Sequence, residues 1–179
     1  MKKLFLLFFL AILPLSIFAE SRKSELLPHD IIGVKLGMRE AQIAKVLEQE
    51  NFSWETEQFA DGYSMIIAQY NVSKEWVWQL GIMFNQMVIL LANNQAFEIT
   101  VYDNTEVKDR TQGIENANRL YDYLNKNYNL HENPKRYKEM EKSSLKDEYA
   151  YQKYFIDAVG GQLDIEVFQN QTQLTIRYY

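Results

Sequence analysis

An α+β fold of two tandem units, each one helix packed on an antiparallel β-meander, is what this 179-residue sequence predicts. Three observations lead there. Two stretches, from Met38 to about Asn51 and from Asp109 to Tyr128, repeat their apolar residues at helical spacing. Each is followed by runs alternating apolar and polar residues, the pattern of strands with one buried face. No cysteine is present, so burial rather than disulfides must hold the chain together.

The first element is a leader. "MKKLFLLFFLAILPLSIFAES" places two lysines before an apolar run from Leu4 to Leu15 and small residues at Ser16 and Ala19. That is the layout of a secretory signal peptide, cleaved near Ala19. A membrane anchor needs about 20 apolar residues, and Pro14 interrupts this run. The expected product, Glu20 to Tyr179, carries 17 basic against 24 acidic side chains, a net charge of −7. Such a balance disfavours nucleic acid and anionic membrane surfaces and suits a neutral or basic partner. The leader points to the bacterial periplasm, with no stable membrane anchor after cleavage.

The remaining elements follow in chain order. Residues 20–30 are polar, include Pro28 and read as a mobile lead-in. Ile43, Val46 and Leu47 share one face of the first helix, with Ala44 at its edge. "FSWETEQF" and "YSMIIAQY" flank Ala60-Asp61-Gly62, and Asp-Gly is a hairpin signal. In "WVWQLGIMF", Trp76, Trp78, Leu80, Ile82 and Phe84 alternate onto one face. Asn85-Gln86 is expected to turn the chain into "MVILL", and "NNQ" at 93–95 to turn it again into "AFEITVY". There Phe97, Ile99 and Val101 should face one way.

The second helix uses Ile114, Ala117, Leu120, Tyr121, Leu124 and Tyr128, with a capping pair, Asp109 and Gln112, at its start. Gly113 is expected to weaken its first turn. Residues 131–148 are highly charged and read as a loop with at most one short element. Strands then run from Tyr149 to Ala158, through Leu163, Ile165 and Val167, and through Leu174, Ile176 and Tyr178. The units so defined are 31–104 and 105–179.

Gly33 and Gly37, in "IIGVKLGMREAQIAKVL", raise the question of a phosphate loop. They sit one position too close for a P-loop, and Met38-Arg39 replaces its lysine and hydroxyl. A dinucleotide fingerprint would need a third glycine and a parallel unit. The structural alternative is that Gly37 supplies backbone angles needed before the helix, while Gly33 lets the chain pass close to a neighbour.

The same stretch resembles small exported bacterial proteins, namely the β-lactamase-inhibitor proteins and the small lipoproteins of the outer-membrane protein assembly machine. The resemblance rests on Gly33, Gly37, Met38, Ile43, Val46 and Leu47, with echoes in "LGIMFNQMVIL" and "QLDIEVFQNQTQLTIRYY". It implies helices against an antiparallel sheet, in tandem units for the inhibitors. The chain lacks the lipidated cysteine of the assembly lipoproteins.

No catalytic set emerges. Ser143 and Lys146 match S-x-x-K without its companion motifs, and sit in the charged stretch. His29 and His131 are the two histidines, and neither belongs to a zinc pattern. Asp103, Glu106 and Asp109 lack the ligand spacing of a calcium loop and read as carboxylates at a helix start. No cofactor or metal is expected. The surplus lies in the 12 tyrosines. Tyr63, Tyr102, Tyr123, Tyr151 and Tyr179 fall opposite the apolar faces, and interfaces are enriched in tyrosine. The expectation is therefore a non-enzymatic protein that binds a protein partner, as an inhibitor, a toxin-immunity protein or an envelope-assembly accessory. The alternatives are a small hydrolase of cell-wall material and a binder of a small apolar ligand.

Overall fold

A computed structural model describes residues 23–70, 84–102 and 110–178. The expected leader, most of the 76–84 strand, the acidic residues 103, 106 and 109, and Tyr179 lie outside these. The fold is α+β. Ile31 and Val34 close a two-residue hairpin between β1 (Asp30–Ile31) and β2 (Val34–Lys35). Ile32 at φ 57° and Gly33 at φ 79° form its turn, the left-handed pair that tight hairpins require. Gly33 thus serves backbone conformation rather than close approach, because a Cβ there would meet Val46 at an ordinary 3.6 Å. Gly37 has φ 84°, as expected, and its N–H donates to the Ala96 carbonyl at 2.7 Å.

Helix α1 (Glu40–Gln49) starts where the Gln42 side chain accepts from the Arg39 N–H at 2.9 Å. It buries Ile43 and Leu47, each contributing about 2 kcal/mol of apolar burial. Then come β3 (Phe52–Gln58), β4 (Tyr63–Tyr70), β5 (Gln86–Ala92) and β6 (Gln95–Tyr102), each pairing antiparallel with the next. Asp61 and Gly62, both at positive φ, turn the first hairpin, and Asn93-Asn94 turn the third. Asn85-Gln86 does not turn: Gln86 pairs with both Gln69 and Tyr102, so the ladder runs through it.

Helix α2 (Arg110–Asn127) buries Gly113, Ala117, Leu120 and Leu124. Gly113 is there because of proximity. A Cβ would lie 2.8 Å from the Asn170 carbonyl oxygen and 2.9 Å from Val167, and Thr172 donates to its carbonyl at 3.1 Å. The charged stretch that reads as a loop contains β7 (His131–Glu132) and helix α3 (Pro134–Glu141). Asn133 caps α3 by accepting from the Arg136 N–H, and Pro134 occupies its first turn, where no donor is needed. The chain closes with β8 (Tyr149–Ile156), β9 (Gly161–Phe168) and β10 (Gln171–Tyr178).

These strands make one eight-stranded sheet in the order β3-β4-β5-β6-β10-β9-β8-β7. Its centre is the β6–β10 pair, where Val101 faces Leu174 and Ile99 faces Ile176. α1 and α2 cover one face. Met87, Ile89, Leu91, Ile99, Val101, Leu163, Ile165, Val167, Leu174 and Ile176 pack beneath them in one apolar cluster.

Two further expectations are corrected. The lead-in from Ser24 onward is tied down: its backbone bonds Asn127 and Asn129 at 2.8 Å, and Leu27, 3% exposed, donates its N–H to Asp157. Phe97 leaves the core face because a bulge between Leu90 and Leu91 adds a residue to β6. Ala96 takes the buried place, and Phe97 meets Tyr63 on the other face at 6.3 Å between ring centres.

Candidate functional site

Among the described residues α1 and α2 pack on one face of the sheet, and α3 lies over part of the other. The five tyrosines do not gather there. Tyr63 is half exposed on the helix-free face. Tyr102 is on that face too, but it pairs with Gln86 while Tyr63 pairs with Ala92. Six residues of β5 separate the two, about 20 Å. Tyr151 pairs with Val167 on the helix-covered side and packs on the core, as does Tyr123 from α2. Burial pushes the Tyr151 hydroxyl up to about 12, with Tyr121 and Asp122 adding to the shift. Tyr123 and Tyr151 therefore do not lie opposite the apolar face. Amphipathic rings at the flank of a helix layer are absorbed by packing.

The exposed aromatic surface is elsewhere. Among the described residues the large exposed aromatics are Trp54 at 39%, Phe59 at 51% and Tyr63 at 50%, all on the β3–β4 hairpin. Trp54 pairs with Ala68 and so stands on the helix side of the edge, Tyr63 stands on the other side, and Phe59 lies at the turn. Aromatics flank the edge on both faces. β3 is seven residues long and paired throughout with β4 without a bulge, and among the described residues it is the last strand on its side of the sheet. A shallow depression of about 260 Å³ runs beside it on the helix-free face, lined by Ser53, Glu55, Ile67 and Gln69 with Trp54. Next to it, Met65, Ile67, Val88 and Leu90 are half-buried apolar side chains on the helix-free face.

The described strands of this half, β3 to β6, carry charge of one sign. Residues 52–70 and 84–102 contain Glu55, Glu57, Asp61 and Glu98 and no lysine or arginine. Glu55 and Glu57 alternate on the helix-free side of β3 and are exposed.

The other half of the same face carries buried charge under α3. Arg177 of β10 lies 3.1 Å from Glu98 and 3.1 Å from Asp164, and Arg136 of α3 reaches the same Asp164 oxygen at 3.3 Å. The second Asp164 oxygen is buried with no hydrogen-bond partner among the described residues. Tyr154, fully buried, donates its hydroxyl to Glu166 at 2.8 Å, and the Thr100 and Thr175 hydroxyls share a bond at 2.9 Å. Burial raises the Asp164 carboxyl against the pull of Arg177 and Arg136. It raises Glu166 as well, reinforced by the neighbouring Asp164 charge. Tyr154 is pushed well above the ordinary phenol range by burial and by Glu166. A carboxylate pair with raised pKa is what an acid–base site uses. Here, however, Asp164 and Glu166 are 1% and 5% exposed, so the arrangement offers a substrate no approach. It joins α3 to the sheet.

The motif residues stay apart. His29, His131 and Lys146 are exposed, whereas Asp164, Glu166 and Arg177 are buried. Among the described residues no histidine or acidic cluster is placed to hold a metal, and no helix is long and apolar enough to cross a membrane.

Two features escaped the sequence reading. "QMVILLA" is continuously apolar where a strand with one buried face would alternate, which signals a second apolar face. Asp164, Glu166, Thr175 and Arg177 occupy the polar positions of alternating strands and look like a solvent face. No local signal marks their burial.

No family model matches the chain, and neither a curated protein nor a solved structure matches it.

Proposed function

We propose that this is an exported, periplasmic protein that acts by binding another protein, in the manner of an inhibitor, a toxin-immunity protein or an envelope-assembly accessory. The surface that binds is the β3–β4 edge. One observation carries the reading: Trp54, Phe59 and Tyr63, the large exposed aromatics of the described residues, sit on one hairpin in a stretch without a basic side chain. Tryptophan and tyrosine dominate interface hot spots, and an acidic rim speeds encounter with a basic partner. The leader and the negative charge of the remaining chain support export and a partner that is not nucleic acid.

The architecture is read as two helix-plus-sheet units, 31–104 and 105–179. In support, each helix precedes a run of antiparallel strands, and the last strands of the two runs, β6 and β10, meet at the centre. A photo-reactive phenylalanine analogue placed at Phe59 should cross-link to a discrete periplasmic protein, whereas the same analogue at the exposed Lys142 should not. Equal yields from both positions, or none from Phe59, would refute the assignment of the surface.

A further inference from the structure

We infer that the depression framed by Ser53, Glu55, Ile67 and Gln69 receives a single arginine side chain of the protein partner. This rests on the protein-binding reading above and specifies its chemistry at one place. The ladder register brings the four residues together. Ser53 pairs with Gln69 and Glu55 with Ile67, so their side chains stand at the corners of one patch on the face opposite α1 and α2. Ser53, Glu55 and Gln69 are exposed and Ile67 is half-buried, so the space between them opens to solvent. It measures about 260 Å³. Pockets for whole small molecules begin at roughly 300 Å³. The depression therefore suits one side chain of a larger molecule rather than a separate ligand.

The lining states which side chain. Ser53 donates its hydroxyl proton to the Gln69 main-chain carbonyl at 3.2 Å, which leaves its oxygen lone pairs to accept from an occupant. Glu55 adds a carboxylate and Gln69 a side-chain carbonyl, and neither side chain has a hydrogen bond or ion pair among the described residues. Acceptors on three residues call for an occupant with several donors in a fixed array. A guanidinium carries five N–H groups in one plane, whereas an ammonium is a compact point charge. Ile67 supplies apolar surface for the stem of the arginine. Glu57 stands on the same face opposite Met65, and residues 52–70 and 84–102 hold no lysine or arginine, so an anion is disfavoured. Met65, Val88 and Leu90, half-buried beside the depression, offer apolar contact to the residues that flank the arginine.

The experiment uses the leader-free protein, isotope-labelled for NMR, and three end-capped pentapeptides of the form serine-valine-X-valine-serine. X is arginine, lysine or citrulline, the neutral isostere of arginine. The arginine peptide should bind saturably and shift the signals of Ser53, Glu55, Ile67 and Gln69. The citrulline peptide should bind about fivefold more weakly, the upper end for an exposed ion pair, and the lysine peptide should fall between. Glu55→Gln should abolish the difference between arginine and citrulline and leave the melting temperature unchanged, because Glu55 is exposed. Equal affinity for arginine and citrulline, or for arginine and lysine, would overturn the assignment, as would shifts centred elsewhere or no binding at all. Dimeric sedimentation of the parent that Glu55→Gln abolishes would hand the depression to an arginine of a second copy and overturn it too. Cross-linking at Phe59 does not depend on the depression, so it decides the broader reading separately.

Discussion

Arg177→Met tests the account of the polar half of the sheet face that lies under α3. The guanidinium is 8% exposed and lies 3.1 Å from both Glu98 and Asp164. Methionine keeps the stem's apolar contacts and removes the charge. Asp164, whose side chain is fully buried, would retain Arg136 at 3.3 Å, and Glu98, 23% exposed, would recover some hydration. Breaking a buried pair by removing one partner costs about 3–5 kcal/mol. With Arg136 and the hydration of Glu98 as partial compensation, the lower end is expected, about 3 kcal/mol. For a chain of this size that corresponds to a melting temperature lower by about 6–12 °C. Urea denaturation at neutral pH reads the loss. The deficit should shrink on acidification, because Asp164, already raised by burial, can then take a proton. Asp164→Asn added to Arg177→Met should cost less than the two separate losses combined. A loss under about 1 kcal/mol would place the guanidinium among solvated surface pairs and refute the buried network.

Other expectations follow from the same geometry. Glu166 has a folded pKa above 4.5, so it holds its proton more tightly folded than unfolded. Its contribution is complete below the unfolded value and is lost as pH rises from about 4.5 through the folded value. Glu166→Gln, which keeps an acceptor for Tyr154, should therefore be more stable than the parent at neutral pH and flatten the pH profile; melting curves across that range decide it. Gly113→Ala should destabilise by about 1–2 kcal/mol, since overpacking against the Asn170 carbonyl exceeds the helix-propensity gain. An unchanged denaturation midpoint would show that the hairpin yields. Gly37→Val should cost about 1–2 kcal/mol from backbone strain, because its Cβ would meet nothing within 4 Å. Tyr151→Ala should lower thermal stability and leave partner affinity alone, whereas Tyr63→Ala should do the reverse.

What was legible in the sequence was whatever depends on neighbours in the chain. Ile43 and Leu47 at helical spacing, Leu163, Ile165 and Val167 at strand spacing, and Asp61-Gly62 at a turn each carry their own periodicity or backbone chemistry. α3 was legible in principle through Asn133-Pro134, but its charged face hid the helix. The rest depends on strand order. Whether β3 lies outermost among the described strands, and so exposes Trp54, follows from long-range pairing that no local pattern encodes. Asp164 and Arg177 are buried because α3 returns over the strands that carry them. Phe97 changes face through one inserted residue, whereas Ile99 and Val101 beyond it keep the core face that their alternation predicts.

The most direct test of the central claim is quantitative capture from the periplasm with the parent protein and with the Trp54→Ala, Phe59→Ala, Tyr63→Ala variant side by side. The account predicts a discrete protein co-purifying with the parent and at least about tenfold less with the variant, given the usual cost of truncating interface anchors. Melting temperatures should fall only modestly, because the three side chains are 39%, 51% and 50% exposed. Equal recovery of the same partner by a folded variant would contradict the assignment of the β3–β4 edge as the binding surface.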